Sequence, residues 1–393
     1  MNQNDTSQSI PILISIIPNL MEGEGHIIPY HASVTKAANL LAWKHVVAVA
    51  SESKIADLPT NWQACLSSEN LELTMNPIIR IFKYNDIYKL GFSIAKYLKK
   101  EILPNSKHNI IFIERFIHVQ LLGLLIALCI IPKENLSVWL LYRRDTHKDK
   151  TRSIYKLLNK LIKGILESGK FHVLTDSESL SKSLSNYFNE PVTVMPIPHT
   201  DFIDVETIPE LTNEVICWWP GAPRTEKGWN IIKSLMVCVS EEAKKICVVA
   251  AESSELSPLF NGVKVELIPH RLSKSDYLKW LKTSNIILLP YDADAYSERT
   301  SGIFTECIMA GKIPVVTKGT WMARELAKYG MEELIIEWSQ PDLIVSKIIN
   351  LSKSLTVKNK IKEIQKAYQN FHTVESYAHQ MQILFEQGAG NRE

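Results

Sequence analysis

Two glutamates stand eight positions apart in YSERTSGIFTECIMAGKIPVVTKGTW, residues 296 to 321, with a Ser-Gly pair between them. Carboxylates accept hydrogen bonds from neighbouring hydroxyls, so Glu298 and Glu306 are suited to holding a sugar or a ribose. Upstream, YLKWLKTSNIILLPYD (277 to 292) reads as an amphipathic helix and then a buried strand ending at Pro290-Tyr291. Downstream, ECIMAGKIPVV reads as a helix that stops at Gly311 and turns into another buried strand. Ser301-Gly302-Ile303 therefore falls at a helix start, where free backbone amides attract anions. A nucleoside diphosphate suits that place. Gly302 lets the backbone approach a phosphate, Glu306 accepts from ribose hydroxyls, and Glu298 does the same for a sugar on the second phosphate. The pair alone is a weak signal, because short spacings of common residues recur by chance. The plain alternative is that both glutamates are solvated first-turn groups that complement the helix dipole.

A second stretch strengthens the case. VICWWPGAPRTEKGWNIIKSL (215 to 235) is a buried strand, a Pro-Gly turn, then Arg224 and Lys227-Gly228 opening a helix. Cations on such a loop can neutralise phosphates, Arg224 as a bidentate fork and Lys227 as a point charge. A solvated turn is the plain alternative.

Together the two stretches resemble the retaining GT-B glycosyltransferases of family 4, over residues 213 to about 330. Gly221, Arg224, Lys227 and Gly228 match one motif; Glu298, Ser301, Gly302, Glu306, Ala310, Gly311, Pro314, Val315 and Val316 match the other. The family's Arg usually follows the Gly directly, whereas Arg224 stands three positions on. The resemblance implies an α/β chain of GT-B type, two Rossmann-like parallel-sheet domains facing a central cleft. It implies a hexosyltransferase that moves a sugar from a nucleotide-sugar donor, carried on UDP or GDP, to an acceptor hydroxyl with retention. It further implies that Arg224 and Lys227 hold the pyrophosphate and Glu306 the ribose. Glu298 would hold the transferred sugar, and the base would lie near His270 and Leu272. Gly25, Gly221, Ser301, Gly302 and Ile303 complete the donor side. No metal or cofactor is expected, since the two cations can offset leaving-group charge; Asp292 to Asp294, DAD, reads as loop polarity.

The amino-terminal half matches in architecture only. After a first strand, Gly23 and Gly25 give a loop before a helix expected to start near His31 to Ser33, with Ser33 or Thr35 as caps. Ile28 stands where a dinucleotide fingerprint needs its third glycine, so a nicotinamide cofactor is not expected. By the resemblance, His26, His31 and Glu114 are acceptor-side candidates, and His118 supports the donor sugar. Retention in this class lets the departing phosphate deprotonate the acceptor; an inverting enzyme would need a base, with Glu114 or His26 first in line.

The elements that position these residues follow from alternating apolar and helical runs, the pattern of βα units. Strands are expected at 12–17, 45–50, 78–82, 109–113, 138–141, 173–175 and 192–197, then at 215–218, 246–250, 263–268, 286–289, 314–316 and 334–336. Residues 201–214 read as a linker. The expected domains are 1–205 on the acceptor side and 206–370 on the donor side, with 371–393 as a helix packing back on the first. Leu121 to Pro132 is too short to span a bilayer and reads as a buried helix.

With 393 residues and 46% hydrophobic content, two cores are expected. The net charge of +2 gives no global field for nucleic acid. Six scattered cysteines without a C-x-x-C pair fit a reducing compartment, hence a cytoplasmic protein. Residues 143–164 carry eight Lys/Arg against two Asp. Their apolar stripe, Ile154, Leu157, Leu158, Leu161, Ile162 and Ile165, reads as core-facing; the sharper reading is peripheral contact with anionic membrane on its inner face. The acceptor is a carbohydrate, a lipid-linked group or a protein. The alternative to an enzyme is a non-catalytic GT-B-fold binding or scaffold protein.

Overall fold

A computed structural model of the chain describes residues 10–20, 26–53, 55, 57–67, 77–101, 108–114, 116–200 and 214–389. They form two compact units, Met1–His199 with Val374–Glu393, and Thr200–Thr373.

The first unit opens with β1 (Ile12–Ile17), α1 (Ile27–Leu40), β2 (Lys44–Ala50), β3 (Trp62–Leu66) and α2 (Pro77–Glu101). It continues with β4 (Asn109–Glu114), α3 (His118–Ile130), β5 (Leu136–Tyr142), α4 (Arg152–Gly164), β6 (Phe171–Thr175), α5 (Glu178–Phe188) and β7 (Val192–Val194). Its strands are parallel in the order β3-β2-β1-β4-β5-β6-β7. The order reverses between β1 and β4. Both are buried along their length, as strands with covered faces must be.

The second unit runs β8 (Val215–Trp218), α6 (Trp229–Met236), β9 (Ile246–Ala251), β10 (Lys264–Ile268), α7 (Lys274–Thr283) and β11 (Ile286–Leu289). Then come α8 (Gly302–Met309), β12 (Ile313–Thr317), α9 (Trp321–Ala327), β13 (Ile335–Ile336), α10 (Pro341–Lys353) and α11 (Leu355–Phe371). Its parallel order is β10-β9-β8-β11-β12-β13, reversing between β8 and β11. The last helix, α12 (Val374–Ala389), lies in the first unit, where Tyr377 and Met381 share a core with Val34 and Ala37 of α1. Helices α2 to α5 form a second core through Leu90, Leu124, Leu158 and Leu184.

Three expectations need correction. Residues 78–82 lie in helix α2, not in a strand: Pro77 opens the first turn, and the buried stripe Leu90, Ile94 and Leu98 carries the helix through the β-branched run. The unforeseen strand β3 takes that place in the sheet. Helix α1 begins at Ile27 because Pro29 fits a first turn, so Ser33 and Thr35 are interior; the Thr35 hydroxyl donates to the His31 carbonyl at 2.9 Å. The α4 stripe also divides: Tyr155, Leu158, Asn159 and Ile162 are buried, while Ile154, Leu157 and Leu161 are exposed. Among the described residues no helix is long and apolar enough to cross a membrane. The expected linker, apart from Glu214, lies outside the described residues.

Candidate active site

The loops after β8 and β11 flank the strand reversal of the second sheet, the place where α/β sheets bind ligands. They are tied together: the Asp292 amide donates to the Glu226 carbonyl at 3.0 Å. The Trp219 indole donates to the Lys227 carbonyl at 3.0 Å, fixing the lysine under the strand ends. Two glycines shape this loop. Gly228 has φ +80°, and a Cβ there would lie 2.1 Å from the Pro290 carbonyl oxygen. Gly221 has φ +92°, and a Cβ there would lie 2.9 Å from Lys227 Nζ.

Lys227 is buried, with its ammonium 5.7 Å from the Tyr291 ring centroid. Burial, then the positive fields of Arg224 and Arg299, push its pKa down to about 8; Glu226 and Glu306 pull the other way. Arg224 is exposed and pairs with Glu226 at 3.3 Å. Arg299 lies 4.9 Å over the Tyr296 ring, which packs at 4.5 Å on Tyr291. Two further cations therefore act on one buried ammonium, an arrangement that a bound anion would relieve.

Helix α8 starts at Gly302, and the Ser301 hydroxyl caps it by accepting from the Phe304 amide at 3.3 Å. A helix start leaves the Gly302 and Ile303 amides without intrahelical acceptors. One turn on, the Glu306 carboxylate accepts from the Tyr277 hydroxyl. Burial raises the Glu306 pKa to about 7, against the opposing pull of Tyr277 and Lys227. Glu298 is half-buried on the preceding loop, which is anchored where the Trp321 amide donates to the Tyr296 carbonyl at 2.8 Å. The Arg324 guanidinium also donates to the Ser297 carbonyl. Asp292 Oδ1 accepts from the Ala295 amide at 2.8 Å, so it closes a turn. His270 is exposed and its Nδ1 lies 3.0 Å from the Ser253 hydroxyl, bridging the loops after β9 and β10; Leu272 is half-buried against the core.

In the first unit, Gly25 lies outside the described residues. His31 and Glu114 are fully buried, 3.4 Å apart. The same carboxylate lies 3.1 Å from Arg143 Nε, which is 3.6 Å from Asp176. The Arg143 guanidinium stacks 4.3 Å over Tyr30, and the Tyr30 hydroxyl meets that of Tyr377 on α12 at 2.8 Å. Burial would raise the Glu114 pKa, but Arg143 and His31 hold it well below the usual carboxylate range. A carboxylate held ionised so far below its usual range is a poor general base. His26 stacks on His199 at 5.8 Å. His118 opens α3 half-buried, edge-on to Tyr155 at 5.9 Å, and burial lowers its pKa.

The structure thus joins Arg224, Lys227 and Glu306 electrostatically, with Gly221 against Lys227. Arg299 and Tyr277 were missed by the sequence reading. Arg299 stood in view beside Glu298; Tyr277 stands 29 residues from Glu306 and carries no spacing signal. Arg143, the first residue of the basic run 143–164, is part of a buried ion cluster.

Two parallel-sheet α/β units with these strand orders match the GT-B glycosyltransferase fold, and solved structures carry that match. The N-terminal domain of Candida albicans trehalose-6-phosphate phosphatase aligns with TM-score 0.67 at 12% identity, over 99% of each chain. TarM aligns with TM-score 0.66 at 9% identity, over 98% of this chain and 100% of that one. HepE of Anabaena, solved with UDP-glucose, aligns with TM-score 0.62 at 9% identity, over 95% of this chain and 99% of that one. At such identities the likeness speaks for the fold alone. No family model and no curated protein matches the chain.

Proposed function

We propose that the chain is a glycosyltransferase that transfers a hexose from a nucleoside-diphosphate sugar to an acceptor hydroxyl. The observation that carries this is Lys227, buried beneath two strand ends among Arg224 and Arg299 and facing the field of Glu306. In this reading Arg224, Lys227 and the Gly302 and Ile303 amides hold the diphosphate. Glu306, oriented by Tyr277, accepts from the ribose, and Glu298 holds the transferred sugar. The loops bearing His270 and Leu272 border the base. The bond from the anomeric carbon to phosphate breaks as the bond to the acceptor oxygen forms on the same face. The acceptor proton passes to the departing phosphate, which gives retention without a protein base. Cations replace a metal in stabilising the leaving group. The acceptor class is a carbohydrate, a lipid-linked group or a protein, and six free cysteines fit a cytoplasmic enzyme.

The test is release of nucleotide from UDP-glucose, UDP-N-acetylglucosamine and GDP-mannose without metal, with the anomer of any product read by NMR. Turnover with one donor is expected, and Glu298→Ala should lower it more than it lowers affinity for the free nucleotide. Binding without release would favour a non-catalytic role.

A further inference from the structure

Helices α2, α3 and α4 pack side by side over one face of the first sheet, α3 touching both neighbours. Their outer surface is unusual for a solvated layer. On α4, Ile154 (42%), Leu157 (55%) and Leu161 (43%) are exposed along one arc. Spacings of three and four residues put them on a single face. The next arc carries Arg152, Lys156, Lys160 and Lys163, all exposed. Lys163 pairs with Glu190 at 3.2 Å and Lys156 stacks on Tyr187; among the described residues no carboxylate pairs with Arg152 or Lys160. The buried arc, Tyr155, Leu158 and Ile162, takes the third side. Neither α3 nor α4 contains an acidic residue. On α2, Tyr88 (55%) and Phe92 (59%) are exposed beside Lys89 and Lys96.

Exposed leucines without flanking charge would suit a second protein. Here the apolar arc and the cationic arc divide the solvent side of one helix, the arrangement of a helix lying in a bilayer interface with apolar groups among the acyl chains and cations among headgroup phosphates. A second copy of the chain would bring like charges together across a two-fold axis. We propose that the outer face of α2, α3 and α4 docks on a bilayer rich in anionic phospholipid, with Ile154, Leu157 and Leu161 inserting and the α4 cations engaging the headgroups. This goes beyond the donor-site reading and does not depend on it.

The test is co-sedimentation of the full chain with phosphatidylcholine vesicles, with and without phosphatidylglycerol. Sedimentation only with the anionic lipid, weakened by salt, is expected. The double variant Lys156→Glu and Lys160→Glu should cut partitioning about 25-fold or more, at roughly five-fold per charge, and Leu157→Ser by roughly ten-fold. All three positions are exposed, so circular dichroism and UDP affinity should stay those of the parent. No sedimentation, equal sedimentation with neutral lipid, or variants that partition like the parent would overturn the proposal. So would a concentration-dependent dimer abolished by Leu157→Glu.

Discussion

The two sheets reverse strand order at equivalent places, and the charges gathered there differ in kind. Beside β1 and β4, the Glu114 and Asp176 carboxylates flank the Arg143 guanidinium, with His31 and Tyr30 closing the cluster. Each charge has its partner, and Glu114 is held ionised. Beside β8 and β11, the Lys227 ammonium is buried next to two more cations, and its pKa is pushed down. Only burial with unbalanced charge leaves binding energy unused. The first cluster is balanced within itself, whereas the second is one that an anion would relieve, as the proposed donor site requires.

The two clusters should differ most in what they contribute to stability. Arg143→Ala leaves Glu114 buried without its cation and should cost about 3–5 kcal/mol in urea unfolding. Lys227→Ala should cost less than about 1 kcal/mol, because removing one of several like charges offsets the lost packing of its stem. Equal losses would erase the distinction drawn between the two clusters.

The pH dependence of nucleotide binding comes next in size. Lys227 must keep its proton to meet phosphate, and that proton leaves as pH rises through about 8. Glu306 must be ionised to accept from ribose hydroxyls, which requires pH above about 7. Affinity should therefore peak between these values and fall by at most about ten-fold per pH unit on either side, with limbs that belong to the interacting pair. The alkaline limb is diagnostic, since ionisation of the diphosphate adds to the acid one. A profile flat from neutrality through the alkaline range would remove Lys227 from the phosphates.

Gly221→Ala should have the smallest effect. Its methyl would press on the tip of the Lys227 side chain and strain a positive φ, lowering nucleotide affinity by about 1 kcal/mol. Unchanged affinity in a folded variant would mean that the ammonium position is not what sets binding.

Most of the architecture could be read from the sequence because parallel strands buried on both faces are nearly continuous apolar runs, as in ILISII and IILL. Edge strand β3 escaped because its pattern mixes exposed Gln63 and Ala64 with buried Trp62 and Leu66. The second cluster was legible because its groups sit on two short loops whose spacing is local. Tyr277 was not, since its hydroxyl meets Glu306 only after a helix and a strand have folded between them. The first cluster was invisible for the same reason: Tyr30, Glu114, Arg143, Asp176 and Tyr377 come from five separate segments. The α4 stripe misled because periodicity reports a face without saying which arc of it is buried.

Calorimetric titration of UDP, GDP and ADP into the metal-free protein and into Lys227→Ala tests whether the buried ammonium is the cation that meets the diphosphate. One nucleotide should bind, and the variant should weaken it by about 1.5 kcal/mol or more, the loss of a charged hydrogen bond. Binding unchanged in the variant, or no binding at millimolar nucleotide, would contradict it.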